Sequence, residues 1–180
     1  MSNENSLLDR LQNNDTKHEA FRELISLYQE RLYMHIRTIV LNHDDTDDIL
    51  QESLIKIYQN IDTFKGNSQL FSWMYRIATN QALDFLKQKS RKLNIQEGDL
   101  NEYLIDQLEA DSLFDGDEAE LLLQKAIATL PQKQQLVFKM KYYEDLDYQS
   151  MSEILDTSVG ALKASYHHAV KKIELFLQAN

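Results

Sequence analysis

Four glycines and one proline stand in 180 residues. All-β sandwiches and barrels turn roughly every eight to twelve residues and rely on those residue types to do so. A chain this poor in them is a weak candidate for such a fold. Its apolar residues recur instead at steps of three and four, the period of a helix. Phe21, Leu24, Ile25, Tyr28, Leu32, Ile36 and Ile39 form one such stripe, with Asp15 or Thr16 placed to cap it. Asn42-His43-Asp44-Asp45 interrupts it. A second helix is expected from near Thr46, with Ile49, Leu50, Leu54, Ile57 and Ile61 apolar. Phe64-Lys65-Gly66-Asn67-Ser68 reads as a loop, Ser68 capping a third helix from about Gln69 to Arg91. Phe71, Met74, Ala78, Ala82 and Phe85 share one side of that helix. Further on, one helix must end by Leu130, because the residue before Pro131 is pushed out of the α region. Pro131 can open the next helix, which runs to about Tyr143. Asp147 is placed to cap a short helix, Tyr148–Leu155, and Asp156-Thr157-Ser158 leads into a final one ending near Gln178. The class is all-α.

Net charge is −10, which at first sight disfavours nucleic acid. Its distribution reverses that reading. Residues 1–92 hold 12 Lys/Arg and 13 Asp/Glu, and residues 121–180 hold 7 and 6. Residues 93–120 hold 10 Asp/Glu and no base. The spacing therefore predicts two small helical domains, 1–92 and 121–180, joined by an acidic linker over 93–120 with at most a short turn around Leu104 and Leu108. Nucleic-acid binding depends on local fields, which an averaged charge hides. Cysteine is absent, so a reducing, cytoplasmic setting is the expectation. The polar start Met-Ser-Asn-Glu-Asn-Ser is unlike a signal peptide, and no apolar run nears the length of a membrane span, so no membrane insertion is expected.

Three helical faces carry candidate functions. On the second helix Asp48, Gln51, Glu52 and Ile55 point outward together, a polar-rimmed apolar spot suited to a protein partner, although single exposed isoleucines are common. On the third, Trp73, Arg76, Asn80, Leu83 and Lys87 fall within about 80° at the helical step. An aromatic ring, an amide and bases on one face can stack on unpaired bases, read a base edge and hold phosphates. Equally, Trp73 could sit in the core and the bases could complement the helix C-terminus. The last two helices have the parts of a helix-turn-helix. Lys163, Ala164, His167, His168 and Lys171 face outward, and no acid occurs between Val159 and Ile173. That face suits a phosphate-lined groove, and an ordinary helical hairpin would share its geometry. No catalytic constellation, cofactor loop or metal set is visible. His167 and His168 diverge by about 100° on a helix and make a poor metal pair.

These pieces, in this order, resemble the sigma-70 family of bacterial RNA polymerase specificity subunits, in its short extracytoplasmic-function (ECF) form. The resemblance is carried by Asp47-Asp48-Ile49-Leu50-Gln51-Glu52, Phe64-Lys65-Gly66 and Ser72-Trp73-Met74-Tyr75-Arg76-Ile77-Ala78-Thr79-Asn80 in region 2. In region 4 it is carried by Leu130-Pro131 and Val159-Gly160-Ala161-Leu162-Lys163. It implies a non-enzymatic function: directing core RNA polymerase to promoter DNA and opening the −10 element. Asp48, Gln51, Glu52 and Ile55 would dock on the polymerase. Phe64, Lys65, Asn67, Ser68, Trp73, Tyr75, Arg76, Asn80 and Lys87 would engage the −10 element. Ser158, Gly160, Lys163, Ala164, Ser165, His167, His168 and Lys171 would engage the −35 element. The linker would thread toward the RNA exit path, and an anti-sigma factor is a further candidate partner. One stretch departs from the family. Where members often read Lys-Ser-Arg-Leu-x-Arg-Ala-Arg, this chain has Lys163-Ala164-Ser165-Tyr166-His167-His168-Ala169-Val170, so three arginine positions hold Ser165, His168 and Val170. A helical interaction adaptor and an ordinary helix-turn-helix regulator remain the alternatives from other classes.

Overall fold

A computed structural model describes residues 2–111 and 116–180. Among these the chain is helical throughout, without a strand. The helices are α1 (Ser2–Leu11), α2 (Lys17–Val40), α3 (His43–Asn60), α4 (Leu70–Leu93), α5 (Glu97–Ala110), α6 (Glu118–Ala128), α7 (Gln132–Tyr142), α8 (Tyr148–Leu155) and α9 (Val159–Ala179). A 3-10 turn over Ile61–Thr63 follows α3.

The apolar stripes become the core. Leu24, Leu32, Ile36 and Ile39 of α2, Ile49 and Ile57 of α3, and Leu70, Met74, Ala78 and Ala82 of α4 are buried against one another. Boundaries shift where local hydrogen bonds decide them. Asn42, not a residue near Thr46, caps α3 by accepting from the Asp45 N–H at 2.9 Å. Thr16 precedes α2, but its hydroxyl turns back to the Arg10 carbonyl at 2.8 Å and gives no cap. Gln69 rather than Ser68 is the residue at the head of α4, again without a side-chain cap. Asp147 caps α8 as expected, accepting from the N–H groups of Gln149 and Ser150 at 2.9 Å. The Ser150 hydroxyl joins them at 2.7 Å, and these bonds hold the Asp147 carboxyl below the usual range. Ser158 caps α9 through the Ala161 N–H.

Two elements differ from the sequence expectation. Helix α1 buries Leu7 and Leu11 against the first bundle. The acidic stretch is not simply a linker: α5 runs for 14 residues, burying Leu100, Leu104, Ile105 and Leu108 while Asp99, Glu102, Asp106 and Glu109 stay exposed. The run of acids is thus the solvated face of an amphipathic helix. Glu109 pairs with Lys125 of α6 at 2.6 Å, and Asn101 donates to the Ala128 carbonyl at 3.0 Å. Residues 112–115 of the expected linker lie outside the described residues.

The second half does not stand apart. Ala126, Ile127, Leu130, Phe138, Ala169 and Ile173 form its own small core. Leu136, Val137, Met140, Met151 and Ile154 instead join the cluster that holds α2 and α4. Helix α7 therefore serves two cores, and α8 lies against α4.

Candidate functional site

On α3 the side chains of Asp48, Gln51, Glu52 and Ile55 are all exposed, Ile55 at 56%. Their common direction follows from the burial of Ile49, Ser53 and Ile57 on the opposite side. Glu52 accepts from the Gln81 amide of α4 at 3.2 Å, and Lys56 bonds the same amide. Among the described residues of the second half, none is hydrogen-bonded to this face.

The loop before α4 divides into a buried and an open part. Phe64 is buried, its ring 5.3 Å from that of Trp73, while its carbonyl accepts from Gln12 at 2.9 Å. Lys65, Gly66 and Asn67 are exposed, with Gly66 at φ +71°, a conformation glycine adopts without strain. Ser68 and Trp73 are half-buried. Arg76, Asn80 and Lys87 are exposed along α4. Tyr75 is not: at 1% exposure it belongs to the core, with its ring 4.0 Å from Phe71 and 4.6 Å from His35. Its hydroxyl donates to the Arg31 carbonyl at 3.2 Å, and burial, reinforced by nearby Glu144, pushes the phenol far above its ordinary value. In this conformation Phe64 and Tyr75 shape the face from behind, and neither ring is open to a base.

On α9 Lys163, Ala164, His167, His168 and Lys171 are exposed, as are Ser158 and Gly160 at its head; Ser165 is half-buried. Leu162, Ala169 and Ile173 anchor the opposite side. Lys163 reaches to 5.7 Å from the Tyr148 ring centre, which steadies it beside the turn. Among the described residues no group of His, Cys, Asp or Glu could hold a metal ion, and no helix is long and apolar enough to cross a membrane.

Sequence reasoning missed the residues that join the halves. His35, 1% exposed, sits between Glu144 at 2.8 Å and the Thr79 hydroxyl at 2.7 Å. Arg76 donates through Nε to the Glu153 carbonyl at 2.9 Å, and its terminal nitrogen reaches the same oxygen. Lys139 is buried, and burial lowers its amine to about 8. A polar side chain inside an apolar stripe, as at His35 between Leu32 and Ile36, was the one signal available.

An exposed face of acids and amides around one isoleucine, a helix with bases beside an aromatic ring and a helix-turn-helix together have the make-up of a DNA-binding protein that works with a partner. The comparisons narrow this class. The model of sigma-70 region 2 matches residues 24–92, and that of sigma-70 region 4 matches residues 120–173. The ECF RNA polymerase sigma factor SigW of Bacillus subtilis is 30% identical over 157 residues, covering 83% of this chain and 84% of that protein. The ECF RNA polymerase sigma-E factor of Haemophilus influenzae is 29% identical over 181 residues, covering 96% and 94%. In structure, the sigma factor RpoE of Bartonella quintana, solved with the anti-sigma factor NepR, superposes with a TM-score of 0.66 at 17% identity, over 89% of this chain and 98% of that one. The chain belongs to the sigma-70 family of RNA polymerase sigma factors, in its ECF group.

Proposed function

We propose that this sigma factor docks on core RNA polymerase through Asp48, Gln51, Glu52 and Ile55 of α3. It then engages the −10 element with α4 and its preceding loop, and the −35 element with the outward face of α9. The observation that carries the reading is the coincidence of the region 2 and region 4 matches with two exposed faces of the right chemistry. The α3 face offers acids and amides around one isoleucine. The α9 face offers lysines and histidines without an acid. Asn80 would read a base edge, and Lys65, Arg76 and Lys87 would hold phosphates. Opening a duplex costs a few kcal/mol, offset by stacking on Trp73 and by edge contacts to the extruded base.

The protein would perform no covalent chemistry of its own and need no cofactor, and we place it in the cytoplasm with its polymerase. The RpoE–NepR pair supports an anti-sigma factor as a further partner.

The test is promoter-dependent initiation by core polymerase supplied with the protein. Asp48→Arg combined with Gln51→Ala should abolish co-purification with core polymerase while leaving the circular dichroism of the free protein unchanged. Reversing a charge inside a polar interface costs roughly several kcal/mol. Undiminished polymerase binding by this variant would remove α3 from the interface. A protein that binds DNA but never core polymerase would be an ordinary regulator, and one that binds neither an adaptor.

A further inference from the structure

We propose that Gln12, at the junction of α1 and α2, is a positioning residue for the loop before α4, and that the N-terminal helix thereby helps to set how the −10 element is read. The inference rests on the reading of that loop as part of the −10 contact.

The exposed part of the loop is Lys65, Gly66 and Asn67. Its tip stands in open space: a Cβ added to Gly66 would meet no atom of a non-adjacent residue within 4 Å. The course of the loop is therefore set at its base, and the base is Phe64. The Phe64 N–H donates to the Ile61 carbonyl at 3.1 Å, closing the 3-10 turn. Its ring lies 5.3 Å from that of Trp73 on α4. Its carbonyl accepts from the Gln12 amide at 2.9 Å, a bond that reaches across 52 residues of sequence. That carbonyl belongs to the planar peptide leading into Lys65, so the bond fixes the direction in which Lys65 leaves the bundle.

Gln12 is itself held in place. Leu7 and Leu11 of α1 are buried in the same cluster as Phe64. Arg10 of α1 donates to Glu23 of α2 at 2.6 Å, and the Thr16 hydroxyl donates to the Arg10 carbonyl at 2.8 Å. Lys17, at the start of α2, pairs with Asp62 of the 3-10 turn at 2.6 Å, and its ammonium lies 4.8 Å from the Tyr58 ring centre. The turn between α1 and α2 thus grips the chain at Asp62 and again at Phe64, immediately ahead of the exposed loop.

A surface already in its bound shape loses less freedom on binding. A loop that is competent in only a fraction of molecules weakens apparent affinity by that fraction. The loss falls unevenly on the two kinds of contact. A lysine on a wandering loop still finds a phosphate, because phosphates recur at every nucleotide. A contact to a base edge requires one geometry. Without the brace, sequence preference should suffer more than total affinity.

Trp73 is the chain's one tryptophan and lies beside Phe64, so its fluorescence reports the base of the loop in the free protein. Gln12→Met keeps the reach of the side chain and removes the donor at an exposed residue, which leaves the core intact. Acrylamide quenching of Trp73 should rise. The variant, reconstituted with core polymerase, is then offered two DNAs: a −10 element selected from a random library by the wild-type holoenzyme, and a scrambled one. Its preference for the selected element should fall about fivefold, the worth of one net hydrogen bond. Gln12→Arg restores N–H donors at similar reach and should recover both readouts. Its added charge acts on both DNAs alike and leaves their ratio untouched. Wild-type quenching in Gln12→Met overturns the brace, as does a Gln12→Arg protein as deficient as Gln12→Met. An equal loss of affinity for both DNAs also overturns it, because a merely loosened bundle would act in that way. Raised quenching with undiminished affinity and preference overturns the role of Gln12 at the −10 element and traces the fault to the reading of the loop, because the quenching is measured without DNA.

Discussion

Lys139 is a charge buried at a cost, and the cost has a definite pH signature. Its amine falls from 10.5 to about 8 because burial penalises the ammonium. Between those values the unfolded chain binds a proton that the folded chain does not, so stability rises with pH across that window. Burial keeps the phenols of Tyr75 and Tyr143 protonated well past their ordinary range, which works the other way above about 10. The clean interval is therefore about pH 8 to 9.5. Urea unfolding should show the wild type gaining stability there. Lys139→Met should lose most of that gain and be more stable at pH 7 by on the order of 1–3 kcal/mol. A variant with the wild-type pH slope would mean that the ammonium is solvated. At this scale legibility follows distance along the chain. The exposure of Asp48, Glu52 and Lys163 was readable because a helix's own period decides which side faces out. The burial of Tyr75 was missed: the family resemblance assigns its ring to the −10 element, yet the residue follows Met74 into the core arc. The pairing of His35 with Glu144 was not readable, because Glu144 lies 109 residues away and only tertiary folding brings the two together.

Among the elements, α5 shows why composition misleads. Ten acids without a base over 93–120 read as a solvated tether, yet Leu100, Leu104 and Leu108 recur every four residues within the same stretch. The charge run and the helix are the same residues seen from two sides. Helix α1 was hidden differently: its buried Leu7 and Leu11 are too few to make a stripe without the partner they pack on. Helix α4 was the most legible, with its buried arc and its exposed Arg76, Asn80 and Lys87 at the expected positions. Its exposed side chains should nonetheless separate by chemistry. In complex with polymerase, Asn80→Ala should cost about 1–3 kcal/mol at one −10 position and relax the base preference there. Lys87→Ala should weaken all sequences alike and lower the slope of log affinity against log salt by roughly one. If Asn80→Ala weakened every sequence equally, its amide would hold the backbone and read no base.

Over the whole molecule the charge pattern sets how the free protein meets DNA. The net charge of −10 resides in the stretch that forms α5 and its flanks, while the halves on either side are nearly neutral. Because α5 is a fixed helix, its charges hold definite positions: Asp99, Glu102 and Asp106 line a cleft that also includes Lys125 and Lys172, the latter on α9. That sets three carboxylates close to the helix proposed for the −35 groove, where they repel the same phosphates that its lysines attract. The repulsion is electrostatic, so it must fade as the Debye length contracts from about 10 Å at 0.1 M salt to about 3 Å at 1 M. Asp99→Asn, Glu102→Gln and Asp106→Asn together should therefore tighten binding of the free protein to duplex DNA carrying a −35 element at 50 mM salt. The gain should shrink toward nothing by about 0.5 M. It should also vanish once polymerase is bound, if the acidic segment is then carried away from α9. A gain that persisted unchanged at high salt would mean that the substitutions had rearranged α5 against α6. No gain at low salt would mean that these acids lie too far from the bound phosphates to be felt.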